Sequence, residues 1–134
     1  MVPAMLSHVH VGTADFARAS AFYRTILPLL GLTERFADPV KGWAGWQSPD
    51  RTRPLFRLGR PFDGEPTHRG NGHMTAFLAS DRATVDRVYT AALAAGGLSE
   101  GPPGLRPQYH ANYYGAYFRD LDGNKLCVCC HDPA

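Results

Sequence analysis

The chain carries no large excess of charge, its 14 basic and 12 acidic residues leaving a formal net charge of +2 over 134 residues. So small a surplus excludes a phosphate-tracking surface, and nucleic acid is not an expected partner. Long apolar runs are missing too. None approaches the roughly 20 residues that span a bilayer, so no membrane association is expected. The start, Met1 to His8, has neither a basic segment nor an apolar one, which argues against a secretory leader and for a cytoplasmic protein. Spaced cysteines are absent: Cys127, Cys129 and Cys130 crowd together, the opposite of a disulfide framework, and are expected as reduced thiols. Glutamate is scarce, with only Glu34, Glu65 and Glu100.

Glycine and proline, by contrast, number 14 and 11, more than a helical bundle tolerates but natural for short strands joined by turns. With 44% hydrophobic and 19% charged residues, the chain reads as one compact domain. It also repeats itself. At an offset of 66 residues, Asp15, Tyr23, Gly31 and Leu32 fall on Asp81, Tyr89, Gly97 and Leu98, and each half opens with a histidine, His8 or His73. This register predicts a duplicated unit of strand, helix and further strands.

In the first half, Leu6 to Gly12 reads as a strand and Thr13 or Asp15 as the cap of a helix whose apolar stripe includes Phe16, Ala19, Tyr23, Ile26 and Leu30. Strands follow over 32–37, 42–47 and 54–59. The second half repeats the order, with a strand over 73–79, Ser80 or Asp81 as cap, and a helix buried through Val85, Val88, Tyr89, Ala92 and Leu93. A short strand at Leu98 is expected to give way to a Gly101–Gly104 loop, before a hairpin of 113–119 and 125–130. The expected fold is α+β, a single domain of two βαβββ modules, 5–60 and 72–131, joined by a turn-rich linker, 61–71.

Strand parity puts His8 with His10 on one face and Cys127 with Cys129 on another. His8, His73 and Cys127 sit on three different predicted strands, as metal donors must, although a strand histidine is more commonly a satisfied structural residue and a strand cysteine a buried filler. A self-contained zinc knuckle at Cys127 to His131 is excluded, since one strand sends alternate residues to opposite faces. Trp43, Trp46 and the run Tyr109 to Tyr114 supply the apolar bodies with polar tips that line small-molecule pockets, or else core. Arg57, between Arg53 and Arg60, is placed to hold an anionic ligand or to keep a sheet edge solvated.

Leu6-Ser7-His8-Val9, Asp15-Phe16-Ala17-Arg18 with Phe22-Tyr23, Gly72-His73-Met74 and Asp120-Leu121-Asp122-Gly123-Asn124-Lys125-Leu126 together resemble the vicinal oxygen chelate superfamily of glyoxalases, bleomycin-resistance proteins and ring-cleaving dioxygenases. The resemblance covers nearly the whole chain. It implies two modules curled into a cup-shaped mixed sheet, a small-molecule ligand held inside, and homodimers. It also implies metal ligands on the first, fourth, fifth and eighth strands. His8 and His73 take the first and fifth positions, but Phe56 falls where the fourth-strand acid is expected and Cys127 where the eighth-strand glutamate belongs. A carboxylate is both a hard ligand and a usable base, so its loss argues against ordinary glyoxalase or dioxygenase chemistry. A His8, His73, Cys127 site would prefer zinc.

Two functions follow from the resemblance. One is a glyoxalase-like enzyme, such as a metal-dependent lyase, acting on a small oxygen-bearing molecule, with His10 as the candidate base and His10, Trp46, Arg57, Tyr113 and Tyr117 around the substrate. The other is a metal-free, drug-sequestering protein whose aromatic groove encloses its ligand unchanged.

Overall fold

The computed structural model describes residues 4–134; Met1, Val2 and Pro3, part of the start read above, lie outside the described residues. Strand β1 (His8–Gly12) leads into helix α1 (Phe16–Ile26), a short 3-10 turn (Leu27–Leu30), and strands β2 (Thr33–Asp38), β3 (Trp43–Gln47) and β4 (Leu55–Gly59). The second unit repeats this with β5 (Thr75–Leu78), α2 (Arg82–Ala94), β6 (Leu98–Leu105), β7 (Tyr114–Arg119) and β8 (Lys125–Cys130). The two sheets have the same topology, β1-β4-β3-β2 and β5-β8-β7-β6, each with its first strand parallel to its last and the others antiparallel. This is the duplicated α+β fold that the repeat implies, with curled sheets.

The repeat is legible in its caps. Asp15 accepts a hydrogen bond from the Arg18 backbone N–H, and Asp81 accepts one from Thr84, so the same residue type starts both helices at the 66-residue offset. Gly31 ends the first helical segment in the left-handed region, φ 79°, which a side chain would strain. The matching Gly97 has a different reason: a Cβ there would stand 2.8 Å from the Arg119 carbonyl and 2.9 Å from that of Ala92.

Both helices and one face of each sheet share a single core. Val11, Trp46, Phe56 and Leu58 meet Phe22, Tyr23 and Ile26, which continue into Phe77, Val85, Val88, Phe118, Leu126 and Val128. A polar strut crosses between the units inside it. The Tyr23 hydroxyl donates to Asp120, whose carboxylate also accepts from the Asn124 side chain and from the backbone N–H groups of Asp122 and Asn124. Asn124 in turn donates to the Gly12 carbonyl, tying the β7–β8 turn to the end of β1. No helix is long and apolar enough to cross a membrane among the described residues.

Three boundaries depart from expectation. β5 begins at Thr75, leaving His73 in an exposed turn where its N–H donates to the Gly70 carbonyl. β6 runs on through Gly101-Pro102-Pro103-Gly104 to Leu105 by slipping register against β7, so the loop expected there is an irregular strand. β4 begins at Leu55, one residue after its expected start, and Leu55 and Arg57 share a face as parity requires.

Candidate functional site

With one face of each sheet turned to the helices, chemistry is left to the other. On the first sheet, the pairs His8 with Leu55 and His10 with Arg57 show which residues share that free face; Val9 pairs with Phe56. Phe56 therefore points into the core, where its ring meets those of Tyr23 and Phe77. The fourth-strand residues facing the site are Leu55, beside His8, and Arg57, beside His10, and neither is the acid that the resemblance implies for this strand. Reading that strand one residue out of phase exchanges its faces.

His8, His10, Arg57 and Trp43 line a cavity of about 400 Å³ with Lys41, Gly42, Gly59, Arg60, Pro61 and Phe62. Gly59 makes the close approach possible: a Cβ there would stand 3.1 Å from the His10 ring and 3.2 Å from Trp43. Trp43 lies between cations, with Arg57 5.2 Å and Lys41 5.1 Å from its ring centroid. The imidazole of His10 is held below the usual histidine range, chiefly by burial and then by the Arg57 charge, so it is neutral at pH 7 and can accept a proton. His8 is exposed, its Nδ1 2.9 Å from the Ser7 hydroxyl.

Trp46 leaves this group. It faces the core, 1% exposed, against Tyr23 and Phe56, and Trp43 on the opposite face takes the pocket position that was expected of it.

The free face of the second sheet carries Cys127, Cys129 and Tyr117, with Tyr113 folded over them from just before β7. The hydroxyls of Tyr113 and Tyr117 lie 3.1 Å apart, and that of Tyr113 is 3.5 Å from the Cys127 sulfur. Cys127 is fully buried beneath them. Its interaction with the neighbouring Cys129 thiol, and then its burial, push the Cys127 thiol up. Cys129 is lowered to about 6, first by its interaction with Cys127, with Tyr113 and His131 adding to the effect. His131 stands 3.7 Å from the Cys129 sulfur and 2.8 Å from His110, with which it stacks. Nothing in the strand pattern announced this imidazole pair, because His110 lies in a loop and His131 beyond the last strand.

The expected metal set does not come together within the chain. Among the described residues no three histidine, cysteine, aspartate or glutamate side chains are grouped to hold an ion. His8 lines a pocket built wholly from residues 8–62, His73 is in a turn outside its strand, and Cys127 is sealed under two tyrosines as a neutral thiol. Within one chain, then, the described residues do not gather around a divalent metal. What each wall offers is cationic and aromatic on the first sheet, and phenolic and thiol on the second.

Comparison with known proteins agrees with this architecture. A search of curated proteins returns no match. A glyoxalase/bleomycin resistance protein from Albidiferax ferrireducens T118 is 34% identical, with a TM-score of 0.83 over 96% of this chain and all of that one. A glyoxalase/bleomycin resistance protein/dioxygenase family enzyme from Burkholderia phytofirmans PsJN superposes at 21% identity with a TM-score of 0.70, over 96% of this chain and 100% of its own. Lactoylglutathione lyase from Agrobacterium tumefaciens does so at 24% identity with a TM-score of 0.65, over 96% of this chain and 94% of its own. The sequence profile of the Glyoxalase/Bleomycin resistance protein/Dioxygenase superfamily matches residues 5–128, and the chain belongs to that superfamily.

Proposed function

We propose that the protein binds a small organic molecule without a metal, as a sequestering member of its superfamily. The observation that carries this reading is Arg57, set beside His10 in a pocket whose lining contains no carboxylate. A divalent cation there would meet guanidinium in place of its hard oxygen ligand. The aromatic and phenolic walls are the furniture of ligand binding.

The ligand is enclosed between two copies. The pocket on the first sheet's free face is lined by residues of the first unit alone, and β1 and β5 are both sheet edges. Beside these edges lies an apolar groove of about 270 Å³ lined in part by Leu6, Val9, Leu55, Ala76 and Leu78, and Leu78 is 71% exposed. In a homodimer that covers these edges, the His10 wall of one protomer faces the Tyr113 and Tyr117 wall of its partner.

The test is recovery of the ligand. A compound that shifts the Trp43 signal is incubated with the protein and returned unchanged under the sequestering reading. A second reading, metal-independent catalysis with His10 as base, draws on its neutral imidazole. It requires product to form and to vanish in His10→Asn.

A further inference from the structure

The charge of the pocket says more about its ligand than its shape does. Lys41, Arg57 and Arg60 all line the 400 Å³ cavity, and three cations in one hollow exceed the net surplus of the entire chain, +2. No acid answers them. The lining includes no aspartate or glutamate, and the ion pairs among the described residues, Arg24 with Glu34 and Arg119 with Glu100, involve none of the three. Asp38, three residues before Lys41, spends its carboxylate on the backbone N–H groups of Val40 and Lys41, and Asp63 and Glu65 line a separate hollow that shares only His10 and Pro61 with this one.

Arg57 adds an independent sign. Its Nε is buried and has no hydrogen-bond partner, although guanidinium N–H groups withdrawn from water are ordinarily satisfied. The side chain sits mid-sheet, between His10 on β1 and Gly45 on β3, with its guanidinium 5.2 Å from the Trp43 ring centroid. A solvated basic edge would not be built this way. Beside the cations, Trp43, Pro61 and Phe62 give the cavity an apolar side.

We propose that the ligand of this pocket is a small organic oxyanion, a carboxylate or a phosphate ester, whose charged end docks on Arg57 with Lys41 and Arg60 around it and whose apolar body lies against Trp43. This rests on the ligand-binding reading above and names its ligand class. A guanidinium fork matches both anions, and Arg57 placed against an aromatic plane is positioned before the ligand arrives. The neutral state of His10 fits the same field, since burial and Arg57 together disfavour a further positive charge there.

The experiment titrates the full chain with benzoate, phenyl phosphate, inorganic phosphate and neutral benzamide, following the two indole N–H signals by NMR. The expected result is that benzoate or phenyl phosphate binds at least about tenfold more tightly than benzamide, moving the Trp43 signal and leaving that of buried Trp46 in place. Whichever of the two acids binds tighter separates carboxylate from phosphate ester. Arg57→Gln, shown folded by circular dichroism, abolishes the preference, and Arg57→Lys restores part of it. Benzamide binding within about twofold of both acids would overturn the oxyanion assignment and leave the pocket reading standing. Inorganic phosphate binding as tightly as phenyl phosphate would overturn the role given to Trp43. If none of the four compounds moves Trp43, both the assignment and the pocket reading fall.

Discussion

Tyr23 shows how much one side chain does in this molecule. Its ring packs on Trp46 and Phe56 while its hydroxyl donates to Asp120 in the other unit, so it belongs to the apolar core and to the polar strut at once. Tyr23→Phe keeps the packing and removes one donor from a buried carboxylate, a loss of about 1–3 kcal/mol by chemical denaturation at neutral pH. The sign of its pH dependence follows from Asp120, whose pKa burial raises above the usual carboxylate range against the pull of its hydrogen bonds. The fold therefore takes up a proton at Asp120 before the unfolded chain does. The stabilisation from that uptake is complete below the unfolded carboxylate's pKa and is lost as pH rises through the folded one. The tyrosine bond favours the charged carboxylate, so the penalty of Tyr23→Phe shrinks as pH falls through the range in which Asp120 becomes protonated. A second residue-scale prediction concerns the thiols: Cys127→Ala removes the leading cause that lowers Cys129, so the thiolate absorbance step moves from about pH 6 towards higher pH. At this scale the sequence was partly legible. Alternation placed His8 with His10, Cys127 with Cys129 and Tyr113 with Tyr117, but that the two tyrosines cover Cys127 follows only from the pairing of β7 with β8, which no periodicity encodes.

Among the elements, the helices were the easiest to foresee because their stripes and aspartate caps recur at a fixed offset. Strand ends were harder. The first and last strands of the second unit illustrate the difference: β8 follows its apolar run from Lys125 to Cys130, whereas β5 starts two residues after His73, with Gly70 and Gly72 turning the chain ahead of it. The fourth strand was foreseen as a strand, yet its facing residue is settled only by pairing with β1, which makes Arg57, not Phe56, the neighbour of the histidines. Gly97 provides the test at this scale. Two backbone carbonyls stand where its Cβ would go, and neither can move like a side-chain tip, so Gly97→Ala should cost about 1–3 kcal/mol, read as a fall in Tm. Gly31→Ala meets no atom within 4 Å and is penalised only through its left-handed backbone, by about 1 kcal/mol.

Across the whole molecule, duplication was visible in the sequence and the packing of the duplicates was not. The repeat predicts two like sheets, but only the three-dimensional arrangement shows their helix-bearing faces sharing a core and their free faces carrying separate walls. A second copy then completes the cup in our proposal, and sedimentation should give twice the 14.7 kDa chain mass. Leu78→Asp places a charge on the exposed edge strand and is expected to yield a monomer that keeps its circular dichroism spectrum and loses ligand binding. The central claim is that this cup works through cations and aromatic rings in place of a metal. Elemental analysis of protein purified without chelator tests it most directly: the account predicts divalent metal far below one ion per chain and unaltered by His73→Ala, whereas a stoichiometric ion that disappears with His73 would contradict it.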